Sequence, residues 1–251
     1  MSILTELQSR MKTVRLAESA QVLPELVKKA ETEELSYSQF LLSVMTHEQQ
    51  RRAEKQIEKR MKWAMFPVYQ TLEDFSLQEQ KTLKPHALNQ LKDFAWLDQL
   101  YNLILLGPTG VGKTHLATGL GIEAIQAGYK VAFITMGELI HTLKTEEMTR
   151  KSKLRLKRIR EANLVIIDDL MFMAMDRREA NQLFHLINDL YNQASIILTS
   201  NKGPGDWGEL LGDPAITAAI LDRLIHRSEV IQLGGESYRM KHRQTLFNTE
   251  D

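Results

Sequence analysis

Cysteine is absent from all 251 residues, which excludes disulfides, thiolate metal sites and thiol nucleophiles and suits a reducing, cytoplasmic setting. No run of eighteen apolar residues occurs and the amphipathic start Met1–Arg10 lacks a signal-peptide pattern, so no membrane segment is expected. The seven histidines show no zinc-helix spacing, and no structural metal is expected from them. Excess charge is also missing, because 32 basic residues balance 32 acidic ones. Nucleic-acid binding through bulk charge is thereby excluded, and any such binding has to come from local clusters. Glycine is confined to one part of the chain: none precedes Gly107 and all 13 lie from there on.

That shift in composition divides the chain. Residues 1–64 read as a helical module with apolar–polar periodicity and one proline. Pro24 is expected to separate two helices, and Ser36 or Ser38 to start another. Residues 65–100 form a connector and lead-in segment around Phe66-Pro67 and Lys84-Pro85. Residues 101–251 alternate short apolar runs, at 102–106, 130–135, 164–167, 195–199 and 229–233, with helical stretches such as Thr114–Ala127 ahead of Gly128. Five strands joined by helices predict a doubly wound α/β domain, a five-stranded parallel sheet covered on both faces, behind the N-terminal helical module.

The first glycines carry the chemistry. Gly107-Pro108-Thr109-Gly110-Val111-Gly112-Lys113-Thr114 meets the pattern G-x-x-x-x-G-K-[ST] between a buried-strand run and a helix. Glycines there let backbone N–H groups wrap around phosphates, and the helix N-terminus adds partial positive charge. Lys113 is placed to reach the β and γ phosphates of ATP, and the Thr114 hydroxyl to ligate Mg²⁺. Leu164-Val-Ile-Ile-Asp-Asp169 ends a second strand in two carboxylates. Asp168 fits the magnesium ligand, and Asp169 the group that orients or deprotonates the attacking water. A third run, Ser195–Asn201, brings Asn201 near a γ-phosphate if its strand lies beside the loop strand, although a helix cap or a turn accounts for it equally well.

Two basic clusters stand out. Residues 51–62 hold six basic and two acidic residues, and residues 150–160 hold seven basic and no acidic ones. A solvated helix face explains each, with Leu154, Leu156 and Ile159 tying the second to the core. The alternative is DNA contact through Arg51, Arg52 and Lys55, and through Lys153, Arg155 and Lys157.

Taken together, Gly107–Thr114, Leu164–Leu170, Thr199–Lys202, Ile220–Arg227 and Gly235–Arg239 resemble the IstB-type transposition helper ATPases of the AAA+ superfamily, close to the DnaC helicase loaders and DnaA initiators. Phe66-Pro67, Thr71–Phe75, Trp207 and Gly212-Asp213 extend the resemblance to nearly the whole chain. It implies an ATPase, a DNA-binding homo-oligomer assembled with ATP, that serves an insertion sequence's transposase in selecting or preparing target DNA. By the same resemblance Asn201 is the sensor of the γ-phosphate, Arg223 a finger inserted into the next subunit's site, and Arg239 a second sensor on its own chain. Two departures accompany it. Asp169 stands where AAA+ enzymes usually carry Glu, which shortens its reach, and the twelve residues after Arg239 are fewer than a separate helical lid needs. A helicase loader shares every ATPase motif, a nucleotide-gated assembly protein with negligible hydrolysis fits the shorter Asp169, and a small-molecule P-loop kinase has no use for Arg223 or the basic segments.

Overall fold

The computed structural model describes residues 2–77, 79–80, 82–170, 176–209 and 214–241. It divides into two compact units, Met1–Lys59 and Arg60–Asp251.

The first unit is helical. It contains α1 (Ile3–Thr13), α2 (Ala17–Thr32) and most of α3 (Tyr37–Ala64). The helix start expected at Ser36 is there: its hydroxyl accepts the Gln39 N–H at 3.4 Å, and the Gln39 side chain returns a bond to the Ser36 N–H at 2.9 Å. Pro24, in contrast, does not separate two helices but lies inside α2. Proline cannot donate to the carbonyl four residues back, which here belongs to Ala20. Gln8 of α1 supplies the missing donor, its Nε2 lying 2.8 Å from the Ala20 oxygen. The chain turns at Arg15 (φ 64°) and Glu34 (φ 50°) instead. Between α2 and α3 the unit buries a carboxylate, Glu48, which accepts from the Ser19 N–H and from Arg52 Nε at 2.8 Å each.

The second unit is built on five parallel strands, β1 (Asn102–Leu106), β2 (Val131–Thr135), β3 (Leu164–Leu170), β4 (Ser195–Ser200) and β5 (Ser228–Gln232), in the order β2-β3-β4-β1-β5. Its helices are α4 (Pro85–Lys92), α5 (Ala95–Asp98), α6 (Lys113–Gln126), α7 (Met136–Lys144), α8 (Arg150–Arg160), α9 (Arg177–Leu190), α10 (Pro214–His226) and α11 (Tyr238–Lys241). Alternate strand residues face opposite sides, so strands covered twice need continuous apolar runs. On one side Ile104, Ile134, Val165, Ile167, Ile196 and Leu198 pack with α7, α8, α9, α10 and Trp207. On the other, Leu103, Leu105, Phe133, Ile166 and Ile197 are buried, and α6 lies against β1, β3 and β4. The doubly wound sheet is therefore present, with β1, β3 and β4 adjacent at its centre.

Candidate functional site

The loop from Gly107 to Gly112 joins β1 to α6. Gly110 (φ 87°) and Gly112 (φ 95°) take left-handed backbone conformations that side chains resist, and a Cβ on Gly110 would lie 2.1 Å from Ser237 Oγ. Pro108 and Thr109 are exposed on the loop while Val111 is buried beneath it. The loop is clasped from two sides. Gln80 Nε2 donates to the Val111 carbonyl and the Phe75 ring lies against Gly112, while the Tyr238 N–H at the start of α11 donates to the Gly110 carbonyl at 3.1 Å.

Lys113, the first residue of α6, is buried. Its Nζ donates to the Gly107 and Pro108 carbonyls at 2.8 Å each and to Asn201 Oδ1 at 2.6 Å. Asn201 follows β4, the direct neighbour of β1, so the strand order brings the third polar cluster to the loop. The Thr114 hydroxyl lies 2.9 and 3.0 Å from the two carboxylate oxygens of Asp168 at the buried end of β3. Asp169, next along, is exposed and has a φ of 62°.

The residues present fit a magnesium nucleotide. Left-handed glycines leave backbone room for phosphate oxygens, Lys113 supplies a cation at the loop's centre, and Thr114 with Asp168 supplies two adjacent oxygen donors. Mg²⁺ is characteristically held by one or two protein oxygens together with phosphates and waters, so a two-residue donor set is enough.

Other expected site residues lie elsewhere. Arg223 on α10 spends its described contacts on α9 and its own helix: Nε to Asn188 Oδ1 at 3.1 Å, Nη1 to the Ala219 carbonyl at 2.9 Å, and its guanidinium carbon 4.8 Å from the centre of the Phe184 ring. Neither Asp222 nor Glu229 is among those partners. The backbone of Arg239 belongs to α11, and its side chain is outside the described residues, as is the Gly212-Asp213 pair.

Among the basic clusters, Arg51 pairs with Glu54, Arg52 with Glu48 at 2.8 Å and Lys55 with Glu18 at 2.6 Å. On α8, Lys153 is exposed and Lys157 lies 3.7 Å from Glu161. Arg155 departs from the expected solvent face: its guanidinium donates to the Phe133 carbonyl of edge strand β2, and burial pushes it below the usual arginine range. Leu156 and Ile159 are buried as expected, but Leu154 is 47% exposed, so α8 is rotated relative to the face expected for it.

Sequence reasoning passed over Thr199, which is 1% exposed on β4 and bonded to both Asp168 and Asp169. Its signal was its place at the head of the Thr199–Lys202 segment, two residues before Asn201, to which no role of its own was given.

A sequence model of the family described as "IstB-like ATP binding protein" matches residues 9–246. The chain is 38% identical over 99% of its length to a protein of Bacteroides fragilis named as an ATP-binding protein of an IS21-like insertion sequence, covering 93% of it. It is 39% identical over 95% of its length to the Pseudomonas aeruginosa protein named as the ATP-binding protein of insertion sequence IS21, covering 90%. Among solved structures it is similar to a DnaI crystal structure (18% identity, TM-score 0.55, 67% of this chain and 89% of that one). A DnaA structure bound to AMPPCP and single-stranded DNA is similar at 25% identity and TM-score 0.53 over 70% of this chain, which spans about half of that protein (53%).

Proposed function

We infer, from the premise that this chain belongs to the IstB-like ATP-binding family of insertion sequences, that it hydrolyses ATP and acts on DNA in the service of its element's transposase. The observation that carries the reading is the meeting of Lys113, Thr114, Asp168 and Asn201 at the end of β1, β3 and β4. Three stretches far apart in sequence, Lys113-Thr114, Asp168 and Asn201, converge on a loop whose glycines leave room for phosphate.

In this reading the loop N–H groups and Lys113 bind the phosphates of ATP, and Thr114 and Asp168 hold Mg²⁺. The ion supplies charge neutralisation of the phosphates. Asp169 orients or deprotonates the attacking water, and Asn201 contacts the γ-phosphate once Lys113 turns from it to the nucleotide. Arg223, half-buried on α10 with its Nε bonded to Asn188, enters the site of an adjacent copy, supplying charge from outside the chain. The helical unit of residues 1–64, the connector of 65–100 and the ATPase domain of 101–251 then divide partner contact from chemistry. No described helix is long and apolar enough to cross a membrane, consistent with work in the cytoplasm on DNA.

For DNA contact the structure shifts weight between the two basic segments. Arg51, Arg52 and Lys55 lie against carboxylates of their own unit, and Arg155 is turned inward, whereas Arg150, Lys151 and Lys153 are exposed together on α8. One such helix per copy, repeated in an ATP-dependent assembly, lines up cations along a duplex that a neutral monomer cannot hold. Fluorescence anisotropy of a labelled duplex, titrated with the chain in the presence and absence of ATP, tests this. Binding that needs ATP and is weakened by Lys151→Ala with Lys153→Ala is expected; equal binding with and without ATP contradicts the reading.

A further inference from the structure

The paired register of β3 and β4 runs from Leu164 opposite Ser195 to Ile167 opposite Leu198, then slips and resumes with Leu170 opposite Ser200. Asp168 and Asp169 therefore share a single opposing residue, Thr199. Two residues against one is a bulge, which breaks the ladder and re-aims side chains. Here it falls on the two carboxylates of the site.

The Thr199 side chain bridges the break. Its hydroxyl donates to Asp168 Oδ1 at 2.7 Å and accepts the Asp169 N–H at 2.8 Å. A hydroxyl has one proton to give, so the donor goes to the carboxylate and a lone pair takes the amide. Asp168 Oδ1 thus receives two hydroxyls, from Thr199 on one side and Thr114 on the other. The second bond secures the peptide that carries Asp169 into its left-handed conformation (φ 62°), which a β-carbon disfavours and which persists only when neighbours hold it. In an unbroken strand adjacent residues point to opposite faces of the sheet, so the bulge and the left-handed turn change the direction in which Asp169 leaves the strand after Asp168.

We propose that Thr199 is the positioning residue of this site, its one hydroxyl setting both the orientation of the Asp168 carboxylate and the backbone turn that presents Asp169. The proposal rests on the magnesium–ATP reading for its consequence, but the bridging itself does not depend on nucleotide. A valine has the same branched shape and would fill the same hole in the sheet, so the hydroxyl is the element on trial.

The test compares full-length Thr199→Val, which removes the hydroxyl, with Thr199→Ser, which keeps it. Three quantities are read: hydrogen exchange at the Asp169 amide, the Mg²⁺ dependence of affinity for a fluorescent ATP analogue, and kcat with KM for ATP. Thr199→Val is expected to speed Asp169 exchange, to cut both the Mg²⁺ enhancement and kcat about tenfold or more, as loss of a hydrogen bond to a charged group does, and to raise KM for Mg–ATP in step with the lost enhancement, while the Mg²⁺-free affinity holds within about twofold. Thr199→Ser is expected to restore all three. Should Thr199→Val not fold, Thr199→Ala carries the same readouts. A Thr199→Val protein with the parent's Mg²⁺ dependence and exchange overturns the proposal, and so does a Thr199→Ser protein as impaired as Thr199→Val, because then packing and not the hydroxyl is at stake. If the parent chain binds no ATP, the nucleotide reading falls instead, and the exchange comparison still decides whether Thr199 holds Asp169.

Discussion

Lys113 is buried with three oxygen acceptors around its ammonium group, two of them carbonyls of the loop it belongs to. Such a cation is held in readiness for a more negative partner, since a bond to a charged phosphate is stronger than one to a neutral carbonyl. Lys113→Ala should therefore weaken binding of a fluorescent ATP analogue by about tenfold or more, the cost of a lost charge-assisted bond. Affinity within twofold of the parent would sink the assignment of the loop. Lys113, Thr114 and Asp168 were readable in the sequence because their spacing and the runs around them carry the pattern. Thr199 was not, because a threonine in an apolar run is also an ordinary strand former. Arg155 was misjudged for a related reason. Counting charges over residues 150–160 tells how basic α8 is but not which way each side chain turns, and the carbonyl of Phe133 on the open edge of β2 drew one arginine inward.

Helices and strands were read more easily than the contacts between them. The apolar runs located all five strands to within a few residues; for β1 to β4 the reason is that a strand buried on both faces needs an unbroken run, whereas edge strand β5 is largely exposed. The Pro24 expectation failed because local rules cannot see a distant donor, and Gln8 of α1 supplies one to the Ala20 carbonyl. Close packing of α6 on its neighbours was equally hidden. A Cβ on Gly119 would lie 2.5 Å from Leu72 Cδ2 and 3.1 Å from the Leu72 backbone nitrogen, so the lead-in segment rests directly on the helix. Gly119→Ala should destabilise the fold by about 1–3 kcal/mol through overpacking. Gly137 in α7 has nothing within 4 Å of such an atom, and Gly137→Ala should stabilise it by roughly 0.5–1 kcal/mol. Thermal unfolding of the two variants checks the contrast; equal shifts would contradict it. The α2–α3 pair should also be acid-labile. Burial alone would raise the Glu48 carboxyl, but the Ser19 N–H and Arg52 outweigh it and hold it below the ordinary 4.5. A carboxyl lowered in the folded state stabilises above its unfolded value and loses that contribution as pH falls through the folded one. Exchange of the Ser19 amide should thus rise below about pH 4.5, and Glu48→Gln should remove that pH dependence.

The two compact units and the family to which the chain belongs set the terms for the molecule as a whole. Strand order was the step that turned separate motifs into a site, since it places β4 between β1 and β3 and so brings Asn201 and Asp168 to the same loop. Under the proposed function a cation enters the site from an adjacent copy, and Arg223, whose described contacts are on α9 and α10, is the residue proposed for that task in trans. Mixing inactive Arg223→Ala with inactive Lys113→Ala protein should recover part of the hydrolysis, because a mixed interface joins an intact loop to an intact arginine. No recovery in a demonstrated mixed oligomer would assign Arg223 to its own chain. The most direct trial of the whole account is the rate of ATP hydrolysis by the full-length chain across a titration with duplex DNA. The account expects turnover that rises with DNA and vanishes in Lys113→Ala. Turnover at background with and without DNA, in protein shown to bind ATP, would contradict it.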